Sequence, residues 1–112
     1  MSRYSVGRLQ IAEARDDELS LYQAPLRGVV DDTLRDWHLL AIRRPHLGTL
    51  QIVAAGTSSC TQRWWLSAHL VGVDGLRRVR TRHGRLYDLG VRALVDVSPD
   101  VVERVAAAVS LR

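Results

Sequence analysis

Lysine and phenylalanine are missing from the chain, and cysteine occurs once, at position 60. Each absence closes off chemistry. Without lysine there can be no Walker-type P-loop, no Schiff-base lysine and no Ser-Lys dyad. Without phenylalanine the aromatic RNP signature of single-strand RNA readers is excluded. A lone cysteine forms no internal disulfide and no CxxC metal pair. No apolar run approaches the ~20 residues that a membrane-spanning helix needs. The opening residues, Met-Ser-Arg-Tyr-Ser-Val-Gly-Arg, lack the apolar stretch of a secretory signal. These absences predict a soluble protein of the reducing cytoplasm with no membrane association.

What is present is arginine. All 16 basic residues are arginines, against 12 acidic residues, for a formal charge of +4. The charge is uneven: residues 76–92 hold six arginines against Asp88, a local +5, leaving −1 over the rest. A chain of 112 residues is long enough to bury roughly two-thirds of its unfolded surface in one core. One domain, residues 1–112, is therefore expected, and no repeat or low-complexity segment divides it.

The clearest fold signal lies between Trp64 and Gly90. Asp74-Gly75 separates two alternating segments, and Asp-Gly favours a type I′ turn because both central residues need a positive φ. A two-residue hairpin there predicts His69 opposite Arg80, Val71 opposite Arg78 and Val73 opposite Leu76. On the other face it predicts Leu70 opposite Val79 and Ala68 opposite Thr81. Arg82-His83-Gly84 suits a three-residue turn ending in a left-handed glycine, so Thr81 should face Arg85 and Val79 should face Tyr87. That register buries Tyr87 and Leu89 and keeps Asp88 out of the core.

Upstream, Leu9 and Ile11, then Leu19 and Leu21, recur at period two around residues 15–18, which predicts a hairpin over 8–23. Residues 29–36 read as a polar connection that has room for a helical turn. From Trp37 to Arg43 the chain is nearly all apolar, which suits a buried strand or a helix capped at Asp32 or Thr33. The following Arg44-Pro45-His46-Leu47-Gly48 loop and the apolar run from Thr49 to Ala54 favour two strands. Residues 56–61 read as a small polar loop. Near the end, Ser98 is a good N-cap, Pro99 suits the first helical position, and Val102, Val105, Ala106 and Val109 form a helical stripe. The predicted class is α+β: a small, mainly antiparallel sheet of about six strands, a hairpin meander, packed against a C-terminal α-helix.

The hairpin register places Arg78, Arg80 and Arg82 beside Ser67 and His69, with Trp65 at the far end and Arg85 beyond the turn. Arginine forks match phosphate oxygens, and an aromatic beside them can stack on a base. The same residues suit a solvated strand face that deters edge pairing. Trp64 and Trp65 must face opposite sides of a strand, so one should be core and the other surface.

Other chemistry is poorly supported. His38, His46, His69 and His83 show no ligand spacing with one another or with Cys60, so no metal and no cofactor is expected. Gly56-Thr57-Ser58-Ser59-Cys60 begins like a nucleophile elbow but lacks the second glycine. The acidic residues 16–18, 31 and 32 are favoured by turns and caps alone. The expectation is a non-enzymatic binding module contacting nucleic acid or a ribonucleoprotein. Its rival is a small regulator or inhibitor, of the kind a mobile element carries, that engages an acidic protein partner. A hydrolase comes third. Nothing in the sequence sets the oligomeric state.

Overall fold

The apolar run that begins at Trp37 is a strand buried on both sides. A computed structural model describes residues 3–110, and in it Trp37, Leu39 and Ala41 enter one core while Leu40 and Ile42 enter another. A strand covered on both faces needs no polar alternation, which is why its periodicity alone was ambiguous. The described elements are β1 (Arg3–Val6), β2 (Leu9–Glu13), α1 (Asp16–Ser20), β3 (Asp32–Arg44), β4 (Thr49–Ser58), β5 (Trp64–Leu66), β6 (Leu70–Asp74), β7 (Arg78–Thr81), β8 (Leu86–Leu89) and α2 (Pro99–Ser110).

β3 organises the sheet. One edge pairs along its length with antiparallel β4, which in turn carries β5. The other edge is divided: β2 pairs with residues 40–43, and β8 pairs in parallel with residues 32–34. The strand order is β1-β2-β3-β8-β7-β6, with β4 and β5 off that path. The outcome is the expected α+β class, as a curled mixed sheet of eight strands among the described residues.

Two apolar cores flank β3 and β4. One lies against β6, β7 and β8 and includes Leu70, Val73, Val79, Tyr87 and Leu89. The other lies under α2, where Val102, Val105, Ala106 and Val109 meet Ile11, Leu40, Ile42 and Val53. The start of α2 follows its capping chemistry: Ser98 Oγ accepts the Val101 N–H at 3.3 Å.

A bulge shapes the start of β3. Asp36 has φ +49°, and the β3–β4 register slips by one residue between Arg35 and His38. Gly56 on β4 faces this bulge, where a Cβ would come within 2.9 Å of the Arg35 carbonyl oxygen. The strand could not pass the bulge so closely with a side chain there.

Four expectations are corrected. Residues 8–23 do not form a hairpin; the turn falls at Gly7-Arg8 between β1 and β2, and 16–20 is a short helix. Glu18 explains the helix: its carboxylate accepts the Arg15 N–H at 2.9 Å and, itself buried, pairs with Arg43 of β3. Leu19 is buried while Leu21 is exposed, so the two do not share a face. The polar connection before Trp37 is already β3 from Asp32 onward. The supposed loop over 56–61 is strand as far as Ser58, and the turn follows it.

The fourth correction concerns Asp74-Gly75. β6 and β7 do form an antiparallel hairpin, but Asp74 pairs with Arg78 across a three-residue turn, and only Gly75 is left-handed, at φ +57°. Tertiary contacts explain the choice. The Asp74 carboxylate accepts the Leu26 N–H at 3.1 Å, and Gln23 Oε1 accepts the Gly75 N–H at 3.0 Å. A register irregularity between Leu70 and Gly72 then leaves Leu70 opposite Thr81, Gly72 opposite Arg80 and Val73 opposite Val79. His69 is not across from Arg80; its carbonyl accepts the Arg82 N–H at 2.8 Å. The next turn forms as expected, with Gly84 at φ +86°, Thr81 bonded to Arg85 and Val79 opposite Tyr87.

Candidate nucleic-acid interface

The revised register divides the predicted arginine face. Arg78 donates from Nε to Asp88 at 2.9 Å and from Nη1 to the Leu26 carbonyl at 3.5 Å. Arg80 donates to the carbonyls of Arg27 at 2.7 Å and Gly84 at 3.1 Å. Both side chains therefore hold the segment that crosses the outside of β7 and β8. That segment also covers the second face of β8: Gly28 lies against the buried Leu86 side chain, and Asp31 exchanges two bonds with the Leu86 backbone at the strand edge. Ser67 is buried as well, its hydroxyl accepting the Ala54 N–H and donating to the Ala68 carbonyl.

Trp65, Arg82 and Arg85 belong together elsewhere. They line a depression of about 390 Å³ with Leu66, His83 and Tyr87, between β5 and the β7–β8 turn. Trp65 is 40% exposed, and its indole N–H donates to the Tyr87 hydroxyl at 3.2 Å. Trp64 faces the other way, half-buried against the α2 core with Arg104 5.8 Å above its ring. Among the described residues, no carboxylate lies within 4.0 Å of the Arg82 or Arg85 guanidinium.

Arg82 also lines a neighbouring depression of about 340 Å³, formed with Arg44, Leu47, Thr49, Gln51, His69 and Val109. Burial pushes the His69 imidazole below its ordinary pKa, and the Arg82 charge adds to that effect. The ring stands edge-on to Tyr22 at 6.2 Å. Sequence reasoning found Trp65, Arg82 and Arg85 but missed Arg44, Gln51 and the polar role of Tyr87. No local signal marks Arg44, which reaches the site only because β3 ends beside the C-terminal end of α2.

Cys60 is exposed in the turn after β4. Its neighbours are the Asp31 carbonyl and the Asp32 carboxylate, and the hydrogen bond to Asp32, with some burial and the carboxylate charge, holds the thiol above its ordinary pKa. A raised thiol pKa opposes nucleophilic use. His38 is engaged elsewhere, with its Nδ1 2.6 Å from Glu13. Among the described residues no three metal-ligating side chains are clustered, and no helix is long and apolar enough to cross a membrane.

The site thus defines a class of surface: a basic depression edged by an anchored, exposed indole on an α+β fold. Compared with protein-family models, curated proteins and solved structures, the chain matches none.

Proposed function

We propose that this protein is a non-enzymatic binding module that holds single-stranded nucleic acid, alone or within a ribonucleoprotein, in the Trp65–Arg82–Arg85 depression. The observation that carries the proposal is Trp65: a large apolar ring left 40% exposed, fixed by Tyr87 and flanked by two arginines that have no carboxylate within 4.0 Å among the described residues. Such a ring can stack on any base, while guanidinium forks take the phosphates on either side. Arg78 and Arg80 play a supporting part by fixing the hairpin that carries Arg82 and Arg85.

Salt-dependent binding of a fluorescent single-stranded oligonucleotide tests the proposal. Arg82→Ala/Arg85→Ala should weaken binding and reduce the salt slope by about 0.7 for each phosphate no longer neutralised. Arg3→Ala/Arg8→Ala removes the same charge from an exposed site on and next to β1 and should change binding far less. Equal weakening in both variants would reduce the interaction to diffuse electrostatics. If the unmutated protein bound no oligonucleotide even at low salt, an acidic protein partner would replace nucleic acid as the ligand of this surface.

A further inference from the structure

The second depression has a different character from the first. Its walls come from the end of β3, the start of β4, the β7–β8 turn, the loop before β6 and the last turn of α2. Two guanidiniums line it, from Arg44 and Arg82, and no acidic residue does. Among the described residues Arg44 bonds to neutral oxygens, Gln51 Oε1 at 3.1 Å and the Val109 carbonyl at 3.5 Å. Among the described residues the Arg82 side chain donates to His83, its Nε 3.4 Å from the imidazole Nε2. Neither guanidinium has a carboxylate within 4.0 Å among the described residues. Among the described residues, two cationic side chains thus line one cavity with no carboxylate on either, so an entering anion would be attracted by both.

We propose that this depression binds a phosphate monoester, with Arg44 and Arg82 as its two cationic ligands. The dianionic charge matches the pair of guanidiniums, whose planar forks suit phosphate oxygens. Thr49 and Gln51 lie on the same wall as further hydrogen-bonding groups, and Leu47 and Val109 give an apolar surface for the organic part of the ester. A volume of about 340 Å³ is ample for a phosphate and a small substituent. His69 supplies the independent observation. Its ring lines the cavity, yet its Nε2 is buried with no hydrogen-bond partner among the described residues. Buried polar atoms in folded proteins are nearly always paired. A phosphate in the cavity would be an acceptor along the same wall, and χ2 of histidine is a soft torsion.

The phosphate could belong to a small metabolite or to the end of a nucleic-acid strand, and the site chemistry is the same for both. The proposal shares Arg82 with the depression beside Trp65 but does not rest on nucleic-acid binding. Calorimetric titration with inorganic phosphate, ribose 5-phosphate and ribose tests it, with thermal melts to confirm folding. Ribose 5-phosphate should bind and ribose should not. Arg44→Gln and Arg82→Gln should each weaken the phosphorylated ligand by about tenfold or more, as expected when a charge-assisted hydrogen bond is removed. Arg63→Gln, at an exposed site on another turn, should leave it unchanged.

A second arm compares an oligonucleotide carrying a 5′-phosphate with its 5′-hydroxyl twin. A preference for the phosphorylated strand that disappears in Arg44→Gln assigns the site to strand ends. Equal binding of the two strands, with ribose 5-phosphate still bound, assigns it to a small phosphorylated molecule. The proposal is overturned if neither inorganic phosphate nor ribose 5-phosphate binds, or if both Gln variants bind as the unmutated protein does. Loss of oligonucleotide binding alone, in Trp65→Ala, would bear on the neighbouring depression and not on this one.

Discussion

The indole N–H of Trp65 donates to the hydroxyl of Tyr87 at 3.2 Å, joining β5 to β8 although the two strands are not hydrogen-bonded neighbours. Tyr87 is otherwise buried, so a core residue holds a surface ring in place. This anchoring limits the ordering cost of stacking a base on the indole. Trp65→Ala should therefore weaken single-strand binding by about 1 to 3 kcal/mol, with little change in the salt slope because the net charge is unchanged. Tyr87→Phe should keep the fold and raise the mobility of Trp65, seen as lower steady-state fluorescence anisotropy. An unchanged affinity in Trp65→Ala would remove the ring from the site.

Arg80 should be a stability residue. Its guanidinium fastens the Arg27 and Gly84 carbonyls, and Arg80→Ala releases both. Denaturant melts should show a loss of about 1 to 2 kcal/mol, near the lower end of the scale for hydrogen bonds to a charged group because both bonds are exposed. Oligonucleotide affinity measured on the folded fraction should fall much less than in Arg82→Ala/Arg85→Ala. The reverse ranking would mean that Arg80 leaves its carbonyls to meet the ligand.

Val105 tests the helix-side core. It is fully buried against β2, β3 and β4, and Val105→Asp places a carboxylate among apolar side chains. Thermal or urea unfolding should show a loss of about 3 kcal/mol or more, whereas Ala107→Asp on the exposed face should change stability little. Equal melting of both variants would show that α2 is not docked.

Asp32 sets a pH dependence. Burial alone would raise its pKa, but bonds from the Ser58 hydroxyl, the Cys60 side chain and backbone and the Thr33 N–H outweigh burial and hold it below the ordinary carboxylate value. The unfolded chain then binds this proton more readily than the folded one, so stability rises with pH through that window. The contribution is fully present above the unfolded value, about 3.9, and is lost as pH falls through the lower folded value. Asp32→Asn should be less stable than the unmutated protein near neutrality, and the gap should narrow below about pH 4. A gap that stayed constant with pH would mean that the hydrogen bonds do not depend on the carboxylate charge.

The terminal helix was legible because its signals are local. Ser98, Pro99 and the valine-alanine stripe act within a few turns, and no distant contact competes with them. The turn at Gly84 was legible for the same reason. The strand character of Trp37 to Arg43 was readable only through its neighbours, since burial on both faces erased the alternation. By itself the sequence determined the α+β class, the C-terminal helix, one hairpin register and the basic character of residues 76–92. Tertiary structure decided the rest. Asp74 left its local turn for the Leu26 N–H, which moved the register and turned Arg78 and Arg80 toward their own chain. The same shift left Arg82 between Trp65 on one side and Arg44 on the other, residues 17 and 38 positions away. The engagement of Arg78 and Arg80 depends in part on the Leu26 and Arg27 carbonyls, 52 and 53 residues away, which no local window contains.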